Sequence, residues 1–420
     1  MTLIIASICS LLCVILNPFH ALIVYYTSLI WYPSSNTVQL ATLDFSVSRI
    51  VCCVLFIRVL MNKKLMRGFN IIALDKCMIA YFACQIISGI FTTDFTTLVI
   101  NRSGFFFDVF IPFILIRVLI TDRYALEKFI KVVIFVTAPL AVFGLVEAIT
   151  GNNYLLFGRD VASIDPRWGL KRAMASFGHP IYFGVFLSMV FGLGLSILPR
   201  FPKVTGSLCI IILSGVFASM SSGGWLCAIT MIGIVCLYKL RHNWKQMFMG
   251  VLIMCLVVEM LSNRHFYDII DRFALNPQTA WYRTRLIEVA LFEGGMSGHW
   301  LFGYGYGNDP MWGSKIDGRD DTDMVNHYLL ILSQFGLLGF IPFVGLIWYS
   351  LNNIYNNMSS LSNKVVIWQR WCLGATLLGL FFTINSVSLF GQACNFMFIL
   401  FALSSSCLSA NRKRLIGVQY

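Results

Sequence analysis

His327 opens an apolar stretch, Val325-Asn326-His327-Tyr328-Leu329-Leu330, directly after an acidic turn from Asp317 to Asp323. An imidazole titrates near neutrality, so a histidine at the water-facing start of a helix can take a proton from an attacking hydroxyl. Arginines supply the complementary chemistry, because a planar guanidinium fork holds phosphate oxygens and offsets charge on a departing pyrophosphate. Arg172 lies in Arg172-Ala-Met-Ala-Ser-Phe-Gly-His179-Pro180, where the helix start that follows adds its own affinity for anions. Tyr282-Arg283-Thr284-Arg285 sets two cations on different sides of a helix. Arg285 is expected to meet a ligand and its neighbour to pair with an acid. Taken singly, His327 reads as an interfacial structural residue and Arg172 as a bilayer-surface anchor. Their joint placement on one expected face is what points to chemistry.

Other chemistries fit poorly. Gly303-Tyr-Gly-Tyr-Gly307 lacks the Lys-Ser/Thr ending of a phosphate loop and reads as a tight turn. Ser219-Met-Ser-Ser-Gly-Gly224 is a small-residue hairpin without the context of a serine elbow. Asp317, Asp320, Asp321 and Asp323 do not spell a calcium loop, and the thirteen cysteines fall in apolar stretches without Cys-x-x-Cys spacing, so neither metal nor cofactor is expected.

The elements that must position these groups follow from composition. Of 420 residues, 58% are hydrophobic and 12% charged, against about 25% charged in soluble domains. Apolar blocks near 3–32, 45–60, 69–90, 104–120, 129–149, 181–198, 204–220, 223–240, 247–261, 325–349, 370–387 and 388–408 predict an all-α polytopic membrane protein with about twelve crossings, range 11 to 13. Asn17-Pro18 is a point where the first block can divide. The net charge of +12 reads as topology and not as nucleic-acid binding. Clusters at Lys63, Lys64 and Arg67, at Arg123, Lys128 and Lys131, at Arg200 and Lys203, at Lys239, Arg241 and Lys245, and at Lys364 and Arg370 mark the cytoplasmic side. Twelve crossings would put both termini there.

The chain then divides into 1–261 with an outer segment 150–180, an outer loop or cap 262–324, a helical region 325–408 and a basic cytoplasmic tail 409–420. The cap is rich in aromatic residues, which argues for order. The outer segment carries Arg159, Asp160, Asp165, Arg167, Lys171, Arg172 and His179. Among charges inside apolar blocks, Arg58, Asp75, Lys76, Arg117 and Glu147 read as structural and Arg49 as a candidate contact.

In layout the chain resembles the bacterial O-antigen ligase and polysaccharide polymerase superfamily. Arg172 through Pro180 is similar to its Arg-x-x-x-x-Phe-x-Asn-Pro segment, with His179 in place of Asn. Arg285 followed by Gly303-Tyr-Gly305 is similar to its arginine, short helix and Gly-x-Gly turn. His327 with Gly336 and Gly339 matches its post-loop histidine and glycines. The family's hairpin often carries Ser-Arg near the tip, whereas Ser221-Ser222-Gly223 has no arginine; Arg49, Arg159 or Arg283 are candidates to compensate.

The resemblance implies a bacterial inner-membrane glycosyltransferase, independent of metal, with its site facing the periplasm. Its donor would be a glycan on undecaprenyl pyrophosphate. The acceptor would be another lipid-linked unit if the chain is a polymerase, the branch slightly favoured by Tyr328-Leu-Leu and Gly303-Tyr-Gly305, or lipid A core if it is a ligase. A lipid-glycan transporter is the reading from another class. Membrane lipids and a chain-length regulator are the further partners implied. His327, Arg285 and Arg172 are the expected catalytic residues; Arg283, Arg49, Arg159, His179 and Tyr328 are expected to bind substrate.

Overall fold

Asn17 divides the first apolar block. In the computed structural model its side chain accepts the backbone N–H of His20, and Pro18 occupies a first-turn position that needs no N–H. Two helices result, α1 (Thr2–Ile15) and α2 (Pro18–Trp31). They run antiparallel, since Thr2 Oγ1 lies 2.7 Å from the Tyr32 hydroxyl. The structure describes residues 1–40, 42–67, 69–156, 166–243, 246, 249–250, 253, 257, 277–356, 358 and 361–411. Arg159, most of the expected segment 247–261, the first part of the expected cap and the tail from 412 lie outside the described residues.

After a short hairpin of β1 (Thr37–Leu40) and β2 (Leu43–Ser46), the chain continues through α3 (Val47–Met61), α4 (Lys63–Arg67) and α5 (Ala73–Thr92). Then come α6 (Phe95–Phe105), a π-turn (Phe106–Phe110), α7 (Ile111–Leu119), α8 (Arg123–Thr150), α9 (Pro180–Ile197), α10 (Pro202–Ala218) and α11 (Ser222–Cys236). The cap holds α12 (Pro277–Ile287) and α13 (Gly313–Ile316); α14 (His327–Tyr355), α15 (Lys364–Thr383) and α16 (Gly391–Ser404) complete the bundle. Among the described residues, eight helical spans are long and apolar enough to cross a membrane. Of the twelve expected blocks, the first, now α1 and α2, and those of α3 and α10 form helices of only 14, 14, 15 and 17 residues, and 247–261 lies mostly outside the described residues. At 1.5 Å per residue these reach roughly 21 to 26 Å, short of a ~30 Å hydrocarbon core.

Ion pairs and carbonyl contacts fasten the basic end. Arg58 donates to the carbonyls of Cys13 and Leu16, Lys128 lies 4.6 Å from the Phe19 ring centre, and buried Glu127 pairs with Arg123 and Arg200. Buried Arg117 forks onto Asp75 at 2.7 and 2.8 Å, while Asp75 also accepts the Ile72 N–H. Arg370 reaches the Cys407 carbonyl at the same end. Thr2 and Cys407 therefore lie at opposite ends of the bundle.

Helices α9 and α16 form the centre, with 83% of each span buried inside the protein. Helices α9 and α11 touch backbone to backbone: a methyl group on Gly224 would come within 2.9 Å of Gly184 Cα, and Ser188 Oγ donates to the carbonyls of both glycines.

Gly336 interrupts α14. Its φ of 60° and ψ of −163° belong to a region open in practice only to glycine. The break would strand backbone groups at membrane depth, where no water satisfies them. The cap supplies the partners. Leu337 and Leu338 N–H donate to the carbonyls of Trp300 and Leu301 at 2.7 and 3.2 Å, and Tyr304 and Gly305 N–H donate to those of Ser333 and Gln334 at 2.6 and 3.2 Å. Two chains this close leave no room for side chains: a methyl on Gly336 would sit 2.3 Å from the Leu301 oxygen, and one on Gly303 would sit 2.6 Å from the Ser333 oxygen. The cap keeps a core of its own, with Tyr282, Leu286, Val289, Met296 and Trp312 buried together against Leu329 and Leu332 of α14.

Gly336→Ala is expected to cost about 3 kcal/mol or more through strain and clash. Gly307→Ala, at φ 81° with open space around it, should cost about 1 kcal/mol. Thermal unfolding of the two purified variants in detergent measures the difference, and equal melting temperatures would refute the strand-exchange account.

Candidate functional site

The segment before α9 is held from below. Glu147, buried near the end of α8, accepts the N–H groups of Met174 and Ala175 at 3.1 and 2.8 Å through one oxygen and the Asn153 amide at 2.8 Å through the other. Ala173 N–H donates to the Ala218 carbonyl at 3.0 Å, and Ser176 Oγ donates to that of Ile30. These anchors fix the loop from Arg172 to His179, with Arg172 itself only 9% exposed. Glu147, expected to be merely structural, is thus the positioning group for Arg172.

His179 caps α9, its Nδ1 accepting the Ile181 N–H at 3.1 Å, so Nε2 carries the proton. Burial, and then the nearby Arg172 cation, push its pKa down to about 4, keeping the ring neutral. Its ring lies 5.5 Å from that of Tyr182, which in turn meets Phe390 at 6.0 Å.

The loop from Ile384 to Phe390 connects this cluster to His327. Asn326 caps α14 by accepting the Tyr328 and Leu329 N–H groups and donates to the Asn385 amide oxygen at 3.0 Å. His327 N–H donates to the Ile384 carbonyl at 2.9 Å, and the Leu389 N–H donates to His327 Nδ1 at 3.3 Å. With Nδ1 occupied, Nε2 bears the proton. In this arrangement the expected proton-acceptor role finds no free lone pair on His327, and its open edge is a hydrogen-bond donor.

The cap closes the arrangement. Asp323 lies in electrostatic range of Arg319, Arg283 and Tyr182. Desolvation pushes its carboxyl above the ordinary aspartate range, with Arg319 opposing. Arg285 has another fate: it pairs with Glu288 at 2.6 Å and with Glu293 at 2.7 Å. Arg285, the arginine expected to meet a ligand, thus pairs with two acids that follow it in the chain, and Arg283 lies in electrostatic range of Asp323.

The Ser219–Gly224 hairpin adds a third wall. A methyl on Gly223 would come 2.6 Å from the Val387 side chain, so the tip packs on the loop that touches His327. Arg167 Nη1 donates to the Met220 carbonyl at 2.9 Å and brings to the tip the cation that its own sequence lacks. The hydroxyls of Ser221 and Ser388 are buried with no hydrogen-bond partner, an unspent capacity at the floor of the site.

Two expected contacts are engaged elsewhere. Arg49 forks onto Asp108 at 2.8 and 2.5 Å and donates to the Asp44 carbonyl, tying the β-hairpin to the π-turn. The Tyr328 hydroxyl donates to the Phe381 carbonyl at 3.0 Å, between α14 and α15. Arg159 lies outside the described residues. Asp323 and Arg167 were visible in the sequence as charges beside the motifs, but nothing in their spacing singled them out.

Arg172→Ala removes one of the two causes acting on His179. Its pKa is expected to rise from about 4 while staying below 6.5, because burial remains. A histidine-resolved NMR titration of wild type and variant reads this, and an unmoved pKa would separate the two residues.

Residues 207–344, about a third of the chain, match the family described as O-antigen ligase. The matched stretch holds the hairpin, the cap and the first half of α14, including Gly303, His327, Gly336 and Gly339. No curated protein and no solved structure matches the chain.

Proposed function

We propose that this multi-pass membrane protein, whose residues 207–344 match the family described as O-antigen ligase, is a polysaccharide polymerase. It lengthens a glycan carried on undecaprenyl pyrophosphate by joining it to a hydroxyl of a second lipid-linked unit. The observation that supports this reading is the run of neighbours from Arg172 and His179 through Tyr182 to Asp323 and Arg283, with His327 bound to the Ile384–Phe390 loop that also meets Tyr182. Cations that can hold a pyrophosphate meet there a carboxylate that can take a proton.

Arg172 and Arg283 hold the pyrophosphate and stabilise its departure. The His327 Nε2–H and the Ser221 and Ser388 hydroxyls donate hydrogen bonds to its oxygens. Asp323 accepts the hydroxyl proton as the acceptor oxygen bonds to the anomeric carbon and the bond from that carbon to the pyrophosphate breaks. The raised carboxyl suits it to this work, since a base with a pKa nearer the working pH transfers protons more efficiently. Trp281 and Trp300, 52% and 42% exposed on the cap, and Trp168, 70% exposed on the outer segment, offer faces on which sugars stack. Polyprenyl tails lie against the apolar flanks of the bundle, and the site faces the periplasm.

The test incubates purified protein with a defined lipid-pyrophosphate repeat unit, alone and then with lipid A core, and resolves products by mass. Chain lengthening without core is expected; transfer only to core would make it a ligase, and no transfer by folded protein would overturn the enzyme reading. Asp323→Asn is expected to lower kcat by about 10²-fold or more. Arg172→Ala and Arg283→Ala should weaken donor use, while Arg285→Ala should change the rate by less than about threefold, as for other half-exposed ion pairs. The acid limb of the rate profile should fall above the ordinary aspartate value of about 3.9, because only the ionised carboxylate accepts the proton. A limb unchanged in Asp323→Asn would assign the proton to another group.

A further inference from the structure

Arg102 lies seven residues into α6, roughly 10 Å from the helix start at 1.5 Å per residue, and is 6% exposed. Charges at such a depth are normally matched by an opposite charge, as Arg117 is by Asp75 and Arg49 by Asp108. No carboxylate pairs with Arg102 among the described residues. Its Nη1 donates to Gln85 Oε1, and its Nε, buried, has no partner. Aromatic rings cover it, with Tyr306 at 5.1 Å, Phe335 at 5.0 Å and Phe105 at 5.7 Å. Rings stabilise the face of a guanidinium but leave its N–H edge in need of acceptors.

The surroundings are suited to a ligand. Tyr306 belongs to the cap segment that enters the break of α14, and Phe335 precedes Gly336 within that break. Tyr81 pairs with Gln85 and stacks near Phe343, which also borders His327 at 5.8 Å. Arg102 therefore lies at the junction of α5, α6 and broken α14, linked to His327 through Gln85, Tyr81 and Phe343.

We propose that Arg102 and Gln85, roofed by Tyr306, form a second anion site that takes the phosphate of a lipid, separate from the site that holds the departing pyrophosphate. A polyprenyl pyrophosphate and a glycerophospholipid both present that group. The first source would make this the seat of the acceptor's lipid carrier, a role that rests on the polymerase reading; the site itself does not.

Gln85→Glu is the deciding variant, because a carboxylate beside the guanidinium satisfies it internally and competes with any phosphate. Full-length wild-type and variant protein in detergent are titrated with farnesyl pyrophosphate and, separately, with phosphatidylglycerol, counting bound lipids by native mass spectrometry. For wild type we expect a second bound molecule of one of the two lipids; in Gln85→Glu that binding step should weaken at least tenfold, with the melting temperature held or raised. The lipid affected names the source. Equal binding of both lipids by the two proteins, with no binding step on wild type that Gln85→Glu weakens, overturns the proposal. Arg102→Lys, which keeps the charge and loses the fork, should weaken the same step, and unchanged binding there would also count against it. Since no transfer is measured, this outcome stands apart from that of the polymerase assay.

Discussion

A helix broken inside a membrane must find new partners for the backbone groups it exposes, and that requirement organises the active half of this protein. Gly336 permits the break, and residues 300–305 of the cap fill it with four backbone hydrogen bonds. The exchange works only where both chains lack side chains, which is why Gly303 and Gly336 face each other's backbone at under 3 Å from where a methyl would sit. The cap is thereby fastened to the helix whose first residue is His327. Ser88 of α5 adds a bond to the Phe302 carbonyl, so the same segment also ties the cap to the front of the bundle.

The charges sort by end and by depth. At the basic end Glu127, Asp75 and the carbonyls of Cys13, Leu16 and Cys407 absorb the arginines, leaving those residues as fasteners. At the other end Asp323 lies in electrostatic range of both Arg283 and Arg319. Cations beside half-desolvated groups interact more strongly with an anion than the same cations in water. The same low dielectric keeps His179 neutral and raises the Asp323 carboxyl above its ordinary value.

Hydrogen-bond direction decides roles that residue type leaves open. The Leu389 N–H points at His327 Nδ1, and the imidazole is turned into a donor by a backbone group sixty-two positions away. Glu147 acts in the same way on Arg172: it touches no ligand, yet its carboxylate collects the N–H groups of the loop that carries the cation, including Ala175 at a φ of 49°.

The membrane class, the approximate positions of the crossings, the basic side and the motifs Arg172–Pro180, Gly303–Gly305 and His327–Gly339 were all legible in the amino-acid sequence, because apolar runs, loop charge and local spacing are properties of consecutive residues. Asn17-Pro18 could be read as a dividing point for the same reason. The partner of each charge could not. Arg283 and Arg285 stand two apart on one helix, and only the placement of Glu293 and Asp323 around that helix decides which acid each of them meets. Arg167 reaching the hairpin tip, Arg102 left without an acid and the tautomer of His327 likewise depend on residues distant in the chain. Such pairings are set when helices pack and backbone groups compete for partners, and that competition exists only in the folded protein.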